Sequence, residues 1–257
     1  MINVVTCVDY NYYSQKMGPW LEGSKRIKSA NVYVVTLDFD VEESHKIKYP
    51  HVNYLRINKD QCPGINTNNC IQHGDYLKLF TFLEDTDVIV CIDGDCLIQR
   101  DFSINEVNAL NNWSDNAIGM NWNAGYGDTL TAEAHRIFPL VSIQTIKQDW
   151  YPNTEPHCHN AGVIVANLKT WKLFYTKYME YLSKVQKYFS HIAYQQWLQN
   201  WVAQTSPFYV DLLPQTFHSQ GHYGHFPGCT LDTEGEFRCN GTLCWVRHKI
   251  NWNPYPA

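Results

Sequence analysis

The sequence predicts an α/β protein with a mostly parallel central sheet flanked by helices, spanning residues 1–257 as a single domain. Three observations predict it. Apolar, β-branched runs at Ile2–Val8, Val32–Leu37, Val52–Ile57 and Val88–Ile92 are interleaved with helical patterns, which is the order of a doubly wound sheet. The run Val88–Ile92 is continuously apolar instead of alternating, as expected of a strand covered on both faces. That run stops at Asp93-Gly94-Asp95, and open α/β sheets bind their ligands at the carboxyl ends of strands.

Taken in order, Ile2–Val8 is the first buried strand and leads into the polar, aromatic Asp9-Tyr10-Asn11-Tyr12-Tyr13. A helix is expected through Trp20, Leu21 and Ile27, then the strand Val32–Leu37, which halts at Asp38-Phe39-Asp40. Val52–Ile57 leads into an irregular loop at 62–69, and Tyr76–Leu83 has the pattern of a helix feeding the Asp93-Gly94-Asp95 strand. Beyond it come a strand at Ala117–Trp122, a short helix at Thr129–Phe138 and a Pro-containing loop. His159–Asn167 enters a further apolar strand through Gly162, which admits close backbone approach. The longest amphipathic pattern follows: Leu168, Trp171, Phe174, Tyr178, Tyr181, Leu182 and Val185 recur at helical spacing, a stripe for core packing. A second helix is expected at Ile192–Trp201, and strand-like runs at Phe208–Leu213 and Thr242–Val246 close the chain around a Gly- and His-rich loop. No repeat, low-complexity run or linker divides it.

Composition narrows the function classes. A net charge of -5 argues against a nucleic-acid footprint. Apolar runs stop far short of a membrane span. The N-terminus enters a strand at once and lacks the basic and apolar regions of a secretory signal, so the expected location is cytoplasmic. With an odd number of cysteines, nine, reduced thiols are the expectation. Cys7, Cys91 and Cys96 lie in or beside strand runs, where cysteine serves as a small hydrophobe. Cys229, Cys239, Cys244 and His248 could be arranged as a zinc site, but their spacing lacks paired Cys-x-x-Cys knuckles.

The chemistry centres on Asp93 and Asp95. Two carboxylates side by side at a buried strand end repel unless a cation lies between them. Hard oxygen donors suit Mg²⁺ or Mn²⁺ bridging the phosphates of a nucleotide. An acidic turn that ends a strand and faces water would have the same tripeptide.

Three stretches together resemble nucleotide-sugar glycosyltransferases of the GT-A (Rossmann-like) fold, most nearly glycosyltransferase family 8, which contains glycogenin and bacterial galactosyltransferases. Tyr76–Ile98 looks like that family's lead-in to its Asp-x-Asp strand. His159-Asn160-Ala161-Gly162-Val163, with Asn167, Leu168 and Trp171, looks like its Asn-Ala-Gly-Val strand entry. Arg247-His248-Lys249 and Trp252 look like a degenerate form of its C-terminal motif. The resemblance implies a cation, Mn²⁺ or Mg²⁺, held by Asp93, Asp95 and His248, with Lys249 or Arg247 adding charge to the diphosphate. It implies that Cys7, Val8, Asp9 and Tyr13 hold the nucleobase and ribose, with Gly94 between the aspartates. Asn160, Ala161 and Gly162 would line the donor sugar, and Gln195 would lie below the anomeric carbon. The nucleotide-binding half is then about 1–100 and the acceptor-side half about 101–257.

The departures from that family are specific. Tyr76 stands where an arginine is usual, leaving Gln72, His73 or Asp75 to take its donor contacts. An Asp-Gln-Asp triplet has become Tyr194-Gln195-Gln196, so both carboxylates are gone. The C-terminal motif lacks its glycine and its separate lysine. The function expected is a metal-dependent hexosyltransferase moving a sugar from a nucleotide sugar, UDP-linked, to a glycan, protein or lipid-linked hydroxyl, with retention. Asp128 and Glu155 are the spare carboxylates that an inverting reaction would need. Two other readings stand beside it. A sugar nucleotidyltransferase shares the architecture but opens with a Gly-rich loop, absent from Asp9-Tyr10-Asn11-Tyr12. A non-catalytic nucleotide-sugar-binding scaffold fits the lost carboxylates.

Overall fold

A computed structural model describes residues 1–61, 75–122, 129–137, 141–145, 157–185, 195–219 and 228–248. Seven strands form the central sheet: β1 (Ile2–Val8), β2 (Asn31–Leu37), β3 (Val52–Ile57), β4 (Val88–Ile92), β6 (Ala117–Trp122), β7 (His159–Asn167) and β8 (Tyr209–Leu212), with the two-residue β5 (Leu97–Ile98) outside it. Their order is β3-β2-β1-β4-β7-β6-β8. Each pairing is parallel except those of β7, which runs against both β4 and β6. The sheet is thus mostly parallel, as expected. The reversed β7 is a departure from the doubly wound pattern, because an apolar run does not encode its own direction.

Both faces of the strands are covered, which is why they read as unbroken apolar runs. Val5, Cys7, Ile89, Ile164 and Ala166 pack on one face with Trp171, Phe174 and Tyr178 of α7 (Leu168–Val185) and Trp197 and Leu198 of α8 (Gln195–Ala203). Val4, Val8, Val90, Ile92, Val163 and Val165 pack on the other with Tyr13 of α1 (Tyr10–Lys16) and Trp20 and Leu21 of α2 (Gly18–Ser24). The helix expected through Trp20, Leu21 and Ile27 is α2, which starts with Pro19 in its first turn and ends at Ser24, short of Ile27, while α1 precedes it over residues read as a polar stretch. Asn167 accepts from the Thr170 backbone N–H at 2.8 Å and so caps α7, while Leu168 and Trp171 are buried beneath it. Helices α3 (Glu43–Lys48), α4 (Ile104–Asn111), α5 (Leu130–Ile137) and α6 (Ile143–Thr145) complete the α-helices among the described residues, and a 3-10 turn covers Lys59–Gln61. The helix expected over Tyr76–Leu83 is instead a 3-10 turn, Asp75–Leu79. Its apolar residues Tyr76, Leu77 and Phe80 are nevertheless buried.

The C-terminal segment returns across the chain to the end of β4. Strand β13 (Val246–Arg247) pairs antiparallel with β5 and parallel with β9 (His218–Ser219). Trp245 is fully buried and stacks on Phe102 at 4.3 Å. Gln99 donates to the Cys244 carbonyl at 2.9 Å and accepts from the Phe237 N–H at 2.8 Å. Arg100 donates to the Leu243 carbonyl at 2.8 Å and the Thr216 carbonyl at 3.2 Å. Its guanidinium is held in turn by both oxygens of Glu106, at 2.7 and 2.6 Å, and Glu106 also closes the capping box of α4 with Ser103.

Burial opposes ionisation of Glu106, but hydrogen bonds from Arg100 and the Ser103 N–H outweigh it and hold the carboxyl below its usual range. A depressed folded-state pKa contributes stability above the ordinary carboxylate pKa of about 4.3, and loses it as pH falls below that value. Glu106→Gln keeps a side chain able to cap α4 and removes the ion pair. It should cost about 2 kcal/mol at neutral pH. Urea denaturation should show the gap between the two proteins closing as the pH is taken well below 4.3.

Strands β10 (Cys229–Leu231), β11 (Phe237–Cys239) and β12 (Thr242–Leu243) form a small antiparallel sheet beside this segment. Its register sets Cys229 opposite Cys239, and the two form a disulfide. The expectation of reduced thiols is corrected there. Cross-strand pairing brings the two side chains together, which linear spacing does not reveal. Cys244 Sγ lies 3.5 Å from Cys239 Sγ. The zinc arrangement considered for these cysteines does not form either, because two are joined and His248 lies elsewhere.

Candidate active site

β4 delivers the acidic turn. The Asp93 N–H donates to the Gly162 carbonyl of β7 at 2.9 Å, and the Cys96 N–H closes the turn onto the Asp93 carbonyl at 3.1 Å. Both carboxylates then face the imidazole of His248, carried in by the residue after β13. His248 Nε2 lies 3.4 Å from Asp93 Oδ2 and 3.4 Å from Asp95 Oδ1. The three predicted cation ligands, separated by more than 150 residues in sequence, are therefore brought together.

Burial disfavours a charged His248 ring, but hydrogen bonds and charge from Asp93 and Asp95 prevail and lift its pKa to about 9. At neutral pH the ring is an imidazolium between two carboxylates. His248 Nε2 lies 3.4 Å from one oxygen of each carboxylate, and carboxylate and imidazole donors converging on one point suit a divalent cation in place of that proton.

Two glycines make the geometry possible. A Cβ on Gly162 would lie 2.3 Å from His248 Cε1, 2.5 Å from its Nδ1 and 2.9 Å from Asn160 Oδ1. His248 is 3% exposed, so a Cβ on Gly162 could be accommodated only by displacing the imidazole. A Cβ on Gly94 would lie 2.8 Å from Met17 Sδ and 2.9 Å from Tyr12 Cε1. Gly162→Ala should therefore push the imidazole off the aspartates and weaken Mn²⁺ binding about tenfold or more, with little change in far-UV circular dichroism. Calorimetric titration giving wild-type affinity would show that His248 is not held by this contact.

The remaining predicted residues fall into distinct surroundings. Cys7 and Val8 end β1 on opposite faces of the sheet, both buried. Asp9 accepts from the Tyr12 N–H at 2.7 Å and caps α1. Tyr13 packs on Phe39 and pairs its hydroxyl with His45 Nδ1 at 3.0 Å, towards α3. Its neighbour Tyr12 is the ring that lies over Gly94. Burial, then the charges of Asp95 and Asp93, raise the Tyr12 pKa, and its hydroxyl hydrogen-bonds Asp95. The Lys16 ammonium sits 5.1 Å from the Tyr12 ring centre. Tyr12 is the site residue that the sequence reading under-weighted; the signal was the Asp9 cap, which fixes the helical register.

Asn160 Oδ1 accepts from the Gly162 N–H at 2.8 Å, and Asn160 Nδ2 and the Ala161 N–H both donate to Gln196 Oε1, at 3.4 and 3.3 Å. Gln196 thus ties α8 to the strand entry beside His248. Gln195 opens α8, and Asp75 opens the 3-10 turn; their side chains lie outside the described residues. Lys249, Gln72, His73, Asp128, Glu155 and Tyr194 also lie outside them. Where an arginine is usual, Tyr76 is buried and its hydroxyl lies 3.6 Å from Cys91 Sγ. Arg247 donates to the Gly235 carbonyl at 3.1 Å.

Solved structures share this arrangement of strands and helices. The chain superposes on the galactosyltransferase LgtC, solved in complex with donor and acceptor sugar analogs, with a TM-score of 0.60. That match covers 97% of this chain and 87% of that one at 17% identity. The chain has the GT-A fold. A second GT-A likeness is to the bifunctional glycosyltransferase WbbM, with a TM-score of 0.60 at 15% identity, over 98% of this chain and 46% of that one. Mouse xyloside xylosyltransferase 1 gives a TM-score of 0.53 at 12% identity over 99% of both chains. No protein-family model and no curated protein sequence matches the chain. No helix among the described residues is long and apolar enough to cross a membrane.

Proposed function

We propose that this chain is a metal-dependent glycosyltransferase that moves a hexose from a UDP-linked sugar to a hydroxyl acceptor with retention. The observation that carries the reading is the convergence of Asp93, Asp95 and His248 at the carboxyl end of β4, within a GT-A fold. Asp93, Asp95 and His248 would hold Mn²⁺ or Mg²⁺, whose chemistry is to neutralise charge on the departing nucleoside diphosphate. Lys249 adds positive charge to the same phosphates. Cys7, Val8, Asp9, Tyr12 and Tyr13, at and just after the end of β1, would hold base and ribose, and Asp75 would take a donor contact. Asn160, Ala161 and Gly162 line the donor sugar. An amide cannot take a proton at neutral pH, but the oxygen of Gln195 favours positive charge developing at the anomeric carbon. This suits retention, with the leaving diphosphate guiding the acceptor onto the same face. A single domain with a nucleotide half and an acceptor half fits the reading, and the acceptor is a glycan, protein or lipid-linked hydroxyl.

The test is a thermal-shift screen of nucleotide sugars with and without Mn²⁺, followed by product analysis. A true donor raises Tm only with the cation, since a ligand that binds the folded state stabilises by mass action. Proton NMR of the fresh product then reads the anomeric coupling, and a β-linked product from an α-linked donor would overturn retention. A scaffold reading is favoured by one observation: Gln196, where the family carries a carboxylate, is engaged in the Asn160–Ala161 contacts. Cation-dependent binding with no transfer or donor hydrolysis would support it.

A further inference from the structure

Cys96 was expected to be a small hydrophobe beside a strand, and it is fully buried. Its position gives it a second capacity. The turn that places the Cys96 N–H on the Asp93 carbonyl also turns the thiol toward β7, with Sγ 3.9 Å from the Gly162 carbonyl. That carbonyl belongs to the residue whose missing side chain seats His248. In consequence, one ligand atom each from Asp95, Cys96 and His248 lie within 4.8 Å of one another. A tetrahedral ion with Zn–S of about 2.3 Å and Zn–N or Zn–O of about 2.0–2.1 Å sets its ligand atoms roughly 3.3–3.5 Å apart. A contraction of at most about 1.5 Å would complete that shell around one ion.

The geometry assigns Cys96 as a soft donor to the cation site, so that Asp95, Cys96 and His248 together take a thiophilic divalent ion of the zinc class in competition with Mn²⁺. This rests on the proposed cation site and adds a ligand and a metal preference to it. Two carboxylates and an imidazole discriminate among first-row ions mainly by the general affinity order. A thiolate in the set adds selectivity for zinc-like ions over hard Mg²⁺ and Mn²⁺. On binding, the Cys96 S–H and the His248 imidazolium each give a proton to water, and the freed sulfur and nitrogen lone pairs bond to the ion, with no change of oxidation state. Asp93 Oδ2 lies 3.4 Å from His248 Nε2, which Asp95 also faces, and remains available to a hard ion in the other ligand set. The two sets share Asp95 and His248, so the ions exclude each other.

Co²⁺ titration of the full chain tests this, because a cobalt–thiolate bond gives a near-ultraviolet charge-transfer band that oxygen and nitrogen ligands do not. The expected result is a band that saturates at one equivalent and is bleached by Zn²⁺. Cys96→Ser should lose the band and about 100-fold of Zn²⁺ affinity, while Mn²⁺ affinity, read from the paramagnetic resonance of the free ion, changes less than about threefold. Co²⁺ binding detected by calorimetry without the band would overturn the assignment of Cys96 and leave the cation site standing. A band that survives Cys96→Ser would move the sulfur to another cysteine and also overturn it. If neither Co²⁺ nor Mn²⁺ binds the wild-type chain, the cation site itself fails. The wild-type spectrum reads sulfur ligation directly, so the test does not depend on the variant folding.

Discussion

Asp95→Asn is expected to abolish the Mn²⁺-dependent stabilisation by a nucleoside diphosphate, lowering cation affinity at least about 100-fold, or about 2.7 kcal/mol. Asp95 is the carboxylate best placed to have this effect. It reaches His248 Nε2 at 3.4 Å, takes the Tyr12 hydroxyl, and follows a glycine packed under Met17 and Tyr12 that fixes its direction. The amide keeps the shape and the ability to accept from Tyr12, so the variant should fold. Losing one carboxylate relieves little repulsion between Asp93 and Asp95, because the His248 ring lies against both. The variant's apo stability should therefore be unchanged or slightly lower. Calorimetry that gives wild-type Mn²⁺ and nucleotide affinity would sink the cation site.

What the sequence disclosed depended on the range of the interaction. Val52–Ile57, Val88–Ile92 and Ala117–Trp122 coincide with strands because a buried strand is written locally, as an apolar run between polar breaks. The eighteen-residue helix α7 was equally plain, with a capping Asn167 and a full apolar stripe. The aspartate pair was legible from a chemical oddity, two carboxylates after a fully buried strand. The two- and three-residue strands β5, β9 and β11 carry no periodicity, and each exists only through pairing with a distant partner. The Cys229–Cys239 bond and the reversal of β7 are likewise facts of pairing. Tyr76–Leu83 misled because Tyr76, Leu77 and Phe80, buried at near-helical spacing, fit a 3-10 turn followed by a second tight turn equally well. His248 was placed through a resemblance; in physical terms its position depends on Trp245, Gln99 and Arg100, none of which stands out in one dimension.

The position of the His248 proton leads to two opposite pH trends in one protein. The ordinary imidazole pKa is about 6.5, and between Asp93 and Asp95 it rises to about 9. A folded-state pKa above the unfolded value contributes stability that is full below about 6.5 and is lost as pH rises through about 9. In chelator, urea denaturation should therefore show a loss on the order of 3 kcal/mol across that interval, less whatever other groups titrate there. Cation binding must displace the same proton, so Mn²⁺ affinity should rise over the interval by up to about tenfold per pH unit and level off near 9. A histidine outside the carboxylate pair would give a plateau near 6.5 instead, and a cation held by carboxylates alone would be flat through the neutral range. His248→Gln should abolish both trends together, since a single proton underlies them. If Mn²⁺ affinity in the variant still climbs between 6.5 and 9, the proton that competes with the cation belongs to another group.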